Sequence, residues 1–202
     1  MKISQSSLLI IAYVAAALTD CATSKVEEVK ATSDNVQFTK TDLIYVKDFD
    51  ATNAIFKGEY SNVPEKVAVN RLLVQQIISM ETINRLAENG YTAQRYSADA
   101  PSNAIIVEGK VTLVDSGSAA TRFWVGFSAG ASTVQANVKI YRASELNKTL
   151  TDLDMVGSSG GRGGLSGGYK DWIEANSKDL GIKLADYIMG KKWSSAVALH
   201  SR

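Results

Sequence analysis

From Thr133 to Ile140 the chain alternates without a break: Val134, Ala136, Val138 and Ile140 are separated by Gln135, Asn137 and Lys139. A period of two puts the apolar set on one side of an extended strand and the polar set on the other, so this segment demands a sheet with one buried and one wet face. A helix would scatter the same residues around its circumference. The strand is entered through Arg122, Phe123, Trp124 and Phe127, an aromatic run interrupted by Gly126 and Gly130. Residues 126–130 match the G-x-S-x-G pattern of serine hydrolases. A nucleophile elbow, however, needs a helix after the serine and a histidine that can reach its hydroxyl. Ser128 is followed by a strand, and the single histidine, His200, stands near the C-terminus. Serine hydrolysis at Ser128 is therefore kept only as an alternative that lacks both requirements, and no catalytic residue is assigned. Gly126 and Gly130 read instead as places where the backbone bends or packs closely.

Four other runs have strand character. Residues 41–50 carry Leu43, Ile44, Tyr45, Val46 and Phe49; Asp48 and Asp50 share a face there, but no third carboxylate is spaced to complete a cation site, and they read as solvated. Residues 91–96 form a second short run. In residues 103–115, Ile105, Val107, Val111 and Leu113 fall on one face with Gly109 among them, which predicts a bulge or close backbone approach at that glycine. Gly117 belongs to the turn that follows. Residues 149–156 make a weaker strand, interrupted by Asp152 and Asp154 as an edge strand would be.

Two segments have helical spacing. Asn62, Pro64 and Glu65 make a start signal, with Asn62 as the cap. Val69, Leu73, Ile77, Met80, Ile83 and Ala87 then form a stripe expected to lie on a sheet, with Met80 as core filler, before Asn89 and Gly90 close the helix. A second helix is expected from about Tyr169 to Met189, with Ile173, Leu180, Leu184, Tyr187 and Ile188 inward and Gly181 as its weak point. Between residues 157 and 168 lies a glycine-rich loop that lacks the Gly-Lys-Ser/Thr ending of a P-loop. It reads as a connector, with anion binding near Arg162 as the alternative. The whole predicts an α+β fold: a mostly antiparallel or mixed five-stranded sheet with two amphipathic helices packed on one face, in a single domain over 41–190 followed by a tail over 191–202.

With 22 Lys and Arg against 21 Asp and Glu, the net charge of +1 supplies no field for gathering nucleic acid, which is not expected as a partner. No cofactor motif is present. One histidine at the chain end gives no basis for a metal site.

The N-terminus reads as an export signal over 1–20: Lys2 precedes an apolar run of eleven residues from Leu8 to Leu18. That is short of the about 20 residues a spanning helix needs. The one cysteine, Cys21, follows directly, in the place where bacterial lipoproteins carry the residue that is lipidated. Asp20 departs from the small residue normally found before that cysteine. An ordinary cut after Ala17, releasing a soluble periplasmic protein, is the alternative. Residues 21–40 are the lipidated cysteine and a polar tether, about 25 Å in span as a coil.

Val107 and Gly109, then Gly117 and Ser118, then Arg122, Val125, Gly126, Phe127, Ser128, Ala129, Gly130, Ala131, Ser132 and Val134 together resemble the signature of the bacterial lipoprotein family catalogued as domain of unknown function 4410. The resemblance runs from about Leu43 to Tyr187. It implies an exported, lipid-anchored domain with no catalytic residue to carry over, and in the family's pattern the position of Ser128 is usually glycine. The expected function is a non-catalytic protein-binding or assembly module, facing the periplasm and held at the outer membrane by lipid on Cys21. An envelope protein of unknown identity is its expected partner, and Arg122 a contact residue. A soluble periplasmic protein that binds a small ligand through the glycine-rich loop is the alternative.

Overall fold

The computed structural model describes residues 30–31, 36–58, 61–118, 132–158 and 169–191. Its elements are β1 (Lys30–Ala31), β2 (Leu43–Val46), β3 (Ile55–Lys57), α1 (Pro64–Glu88), β4 (Thr92–Arg95), β5 (Ile105–Asp115), β6 (Thr133–Arg142), β7 (Thr149–Gly157) and α2 (Tyr169–Ile188). The strands form one mixed sheet in the order β1-β7-β6-β5-β2-β4, with β3 also paired to β5. The pairs β1/β7, β5/β6 and β6/β7 are antiparallel. The pairs β2/β4, β2/β5 and β3/β5 are parallel. The fold is α+β, as the sequence predicts. Two strands exceed the five expected, because β1 and β3 are too short to carry a periodicity. β1 pairs with Leu153 and Asp154, so β7 is covered along that part of its edge.

The stretch from Leu43 to Lys57 runs beside β5 in three steps. Residues 44–46 pair with 105–107, Asp50 bridges to Lys110, and residues 55–57 pair with 113–115. Between the first two steps the Phe49 side chain turns into the core, fully buried. Gly109 lies beneath it: a Cβ built there would stand 2.1 Å from Cε1 of the Phe49 ring. The glycine thus marks a close approach. The bulge lies further on, where the β5/β6 register shifts between Val111 and Leu113. That shift sends Val114 into the core, and leaves Leu113, expected on the buried face, half-buried.

Strand β6 keeps its predicted alternation, with Val134, Ala136, Val138 and Ile140 all buried. They join Leu153 and Met155 of β7, Val74, Ile78 and Leu86 of α1, and Leu180, Leu184 and Ile188 of α2 in one apolar cluster. Tyr45, Ala104, Ile106 and Tyr141 form a separate cluster. Ile105 and Ile106, neighbours in β5, fall into different clusters because successive strand residues face opposite sides of the sheet.

Helix α1 departs from its sequence reading at two points. Its N-cap is Val63, with no side-chain cap hydrogen bond, so Asn62 does not cap it. Its buried residues are Asn70, Val74, Ile78, Ser79, Thr82 and Leu86. The predicted stripe is not the buried face: Val69, Met80 and Ala87 are exposed, Leu73, Ile77 and Ile83 are half-buried, and Met80 is not core filler. The cause is the contact with α2, which needs small residues more than apolar ones. A Cβ on Gly181 would lie 2.8 Å from both the Glu81 Cβ and the Ile78 carbonyl oxygen. The Thr82 hydroxyl donates to the Ile78 carbonyl at 2.8 Å and approaches the Gly181 carbonyl at 3.3 Å. Gly181 is therefore the point of closest approach between the helices, not a defect in α2. The two helices run in the same direction, as Arg85 meets Asp186 and Lys191 meets Asn89 beyond the Gly181 crossing. In α2 the predicted inward residues Ile173, Leu180, Leu184 and Ile188 are buried, while Tyr187 is half-buried with its hydroxyl 2.9 Å from that of Thr151. Among the described residues no helix is long and apolar enough to cross a membrane.

Candidate functional site

Several residues singled out in the sequence, namely Cys21, Arg122, Gly126, Ser128, Gly130, Arg162 and His200, lie outside the described residues. Gly109 and Gly117 lie within them, and both act on the backbone. Gly117 has φ of +67°, a left-handed conformation that favours glycine. Its N–H donates to the Asp115 carboxylate at 2.7 Å. Asp48 and Asp50 do not act together. Asp48 is paired with Arg95, and Asp50 accepts the Thr52 N–H at 2.9 Å. Hydrogen bonds from the Thr52 side chain and backbone hold the Asp50 carboxyl below its ordinary range. Among the described residues no three His, Cys, Asp or Glu side chains are grouped as metal ligands.

What the fold does bring together lies where the parallel strands β2 and β4 end. β2 closes at Val46, opposite Arg95 of β4 and Val107 of β5. The next residue along each strand is Lys47, Tyr96 and Glu108, and β6 adds Tyr141 from across β5, where it pairs with Ile106. The Lys47 ammonium donates to the Glu108 carboxylate at 2.6 Å and to the Tyr141 hydroxyl at 3.0 Å. The Tyr141 hydroxyl donates to the same Glu108 oxygen at 3.0 Å. The ammonium also stands 4.9 Å from the centre of the Tyr96 ring and 5.7 Å from that of Tyr141, within cation–π range. Tyr45 and Ile106 form a buried apolar floor with Tyr141. Beside the cluster, Arg95 grips Asp48 through Nε at 2.8 Å and through a second bond from Nη2, and the Ser79 hydroxyl donates to Asp48 at 3.3 Å.

Each ionisable group of the cluster is held in its ordinary charge state. Burial alone would lower the Lys47 ammonium, but its hydrogen bonds to Glu108 and Tyr141, with the Glu108 charge, outweigh that and raise it above its usual value. The Lys47 hydrogen bond keeps the Glu108 carboxyl below its ordinary value against the opposing effect of burial. Burial raises the Tyr141 phenol, with Glu108 adding to the effect. At neutral pH the lysine is charged, the glutamate ionised and the tyrosine neutral. A charged Lys47–Glu108 pair beside two tyrosine rings can hold charge and present aromatic surface.

The signs fix a pH dependence. Because the folded pKa of Glu108 lies below the ordinary 4.5, its contribution to stability is present above that value and is lost as pH falls through the folded one. The raised Lys47 keeps its contribution until pH climbs through its own folded value, beyond the ordinary 10.5. Glu108→Gln is expected to cost about 1 kcal/mol at pH 7, a charged hydrogen bond discounted for partial exposure. Below pH 4 the difference from wild type should shrink. Urea unfolding at pH 7 and at pH 3.5 measures both.

Sequence reasoning missed Lys47, Arg95, Tyr96, Glu108 and Tyr141 as a group. One signal was available: Glu108 interrupts the apolar run from Ile105 to Gly109 on the Ile106 face, which says that this face holds a polar partner.

Among solved structures the chain is similar to a variant PelC dodecamer from Paraburkholderia phytofirmans, at 15% identity and a TM-score of 0.47, covering 80% of this chain and 98% of that one. It is similar also to a second PelC dodecamer structure from the same organism, at 17% identity and a TM-score of 0.43, covering 76% and 98%. An uncharacterised protein matches at 9% identity and a TM-score of 0.41, covering 73% of this chain and 90% of that one. Likenesses this distant carry nothing about function. No curated protein matches the chain. A family model does match, over residues 44–164, from β2 into the segment after β7. The chain belongs to that family, described as Domain of unknown function (DUF4410).

Proposed function

We propose that this chain is a non-catalytic binding or assembly module, held by lipid on Cys21 at the periplasmic face of the outer membrane, that engages a protein of the envelope. The observation that carries the binding half of this reading is the Lys47–Glu108–Tyr141 cluster beside the exposed Tyr96 ring. Tyrosine and arginine on an apolar floor are the residues that interfaces favour. The anchoring half rests on the leader and on the position of the one cysteine. Several acyl chains on one residue hold a protein persistently where a single chain does not. The test is photo-crosslinking from position 96 of the full-length chain in intact cells, compared with the same chain carrying Cys21→Ala. An adduct to an envelope protein that depends on Cys21 is expected.

A further inference from the structure

Helix α1 presents large apolar residues to the outside. Of the residues it buries, Asn70, Ser79 and Thr82 are polar, whereas Val69, Leu72 and Met80 are 54, 60 and 54% exposed. From Ala68 to Ala87 the exposed positions are Ala68, Val69, Leu72, Gln76, Met80, Asn84 and Ala87, and none of them is charged. The three charged residues of that span are half-buried. Arg71 lies over the Phe56 ring, Arg85 meets Asp186, and Glu81 borders Gly181. Helix α2 shows the usual alternative at Lys178, an exposed residue that makes an ion pair with Glu174 four residues before it. An uncharged apolar strip along a solvent-facing helix is the mark of a contact surface.

Its spacing says what fits. Val69, Leu72, Gln76, Met80, Ile83 and Ala87 recur at three and four residues, the seam along which one helix packs on another. We infer that this seam pairs with the same seam of a second copy of the chain, the two α1 helices running parallel about a two-fold axis. With no charge on the seam, like faces meet without repulsion, and nothing on it selects an oppositely charged partner. Parallel pairing sets Leu72 on Leu72 and Met80 on Met80. It also sets Gln76 on Gln76, where side-chain amides can donate to and accept from one another, as a polar residue in a coiled-coil seam does. The face is about 30 Å long, a small contact by the standard of permanent dimers, so the pair forms reversibly.

The experiment is oxidative crosslinking, with copper phenanthroline, of the full-length chain in membranes of cells that express it. Wild type, whose one cysteine is Cys21, serves as the background control. Leu72→Cys and Gln76→Cys are expected to give disulfide-linked homodimers, and Lys178→Cys on α2 is not. Adding Met80→Glu to the Leu72→Cys chain should cut the dimer at least about tenfold, since it sets two like charges against each other. Met80 is exposed, so this variant should keep its thermal midpoint, which is measured alongside. The inference is overturned if Leu72→Cys and Gln76→Cys give no homodimer, as an antiparallel pair, another protein or lipid on the seam would all produce. It is equally overturned if Lys178→Cys crosslinks as well as they do, or if Met80→Glu changes nothing.

Discussion

Gly109→Val is expected to cost at least about 3 kcal/mol of stability, enough to leave little folded protein from a domain of ordinary stability. A side chain at this position enters the space of the Phe49 ring, whose Cε1, Cδ1 and Cζ would lie 2.1, 2.3 and 2.5 Å from the new Cβ. The ring has nowhere to go, because it is itself fully buried and its backbone is fixed to β5 through Asp50, whose N–H donates to the Gly109 carbonyl at 2.8 Å. Phe49→Ala alone should cost about 3–5 kcal/mol through the cavity it leaves. The double variant should cost less than the two singles added together, by at least about 1 kcal/mol, because each change makes room for the other. Denaturant unfolding of the four proteins measures the coupling; strict additivity would show that the ring and the glycine do not meet.

The second large effect is expected at Gly181, where the sign is as informative as the size. A glycine inside an exposed stretch of helix is destabilising by about 1 kcal/mol relative to alanine, so Gly181→Ala would stabilise a helix whose only fault was that residue. Here the added Cβ would press on the Ile78 carbonyl oxygen and the Glu81 Cβ at 2.8 Å and on the Thr82 nitrogen at 3.2 Å. The obstacle is largely backbone and cannot rotate away. Gly181→Ala is therefore expected to destabilise, and Gly181→Val to do so by about 3 kcal/mol, a fall of roughly 6–12 °C in thermal midpoint for a domain of this size. A rise in midpoint for the alanine variant would place the helices further apart than described.

These two glycines show where the sequence was readable and where it was not. The alternation of Val134 to Ile140 fixed a face because both of its sides are marked, one apolar and one polar. In α1 both sides carry apolar residues, so periodicity could find the helix but not its phase. The choice was made by a tertiary contact: Gly181 lets α2 come so close to Ile78, Glu81 and Thr82 that their side of the helix turns inward, and not the side of Val69 and Met80. Gly109 was legible as an anomaly, though not as the bed of Phe49, since Phe49 lies sixty residues away. The site was the least legible part. Lys47, Tyr96, Glu108 and Tyr141 come from four strands, and only the pairing of β2 with both β4 and β5 sets their ends side by side. No local pattern encodes that register.

The proposal that this domain is held at the envelope and binds there through the strand-end cluster meets its most direct test in intact cells. The full-length chain would carry benzoyl-phenylalanine in place of Tyr96, which keeps an aromatic ring beside Lys47, and be photo-crosslinked in place. A covalent adduct to one envelope protein is expected, absent when the same crosslinker replaces Lys178 and lost when Cys21→Ala releases the chain. Adducts of equal yield from both positions, no protein adduct from position 96, or an adduct indifferent to Cys21→Ala would overturn the proposal.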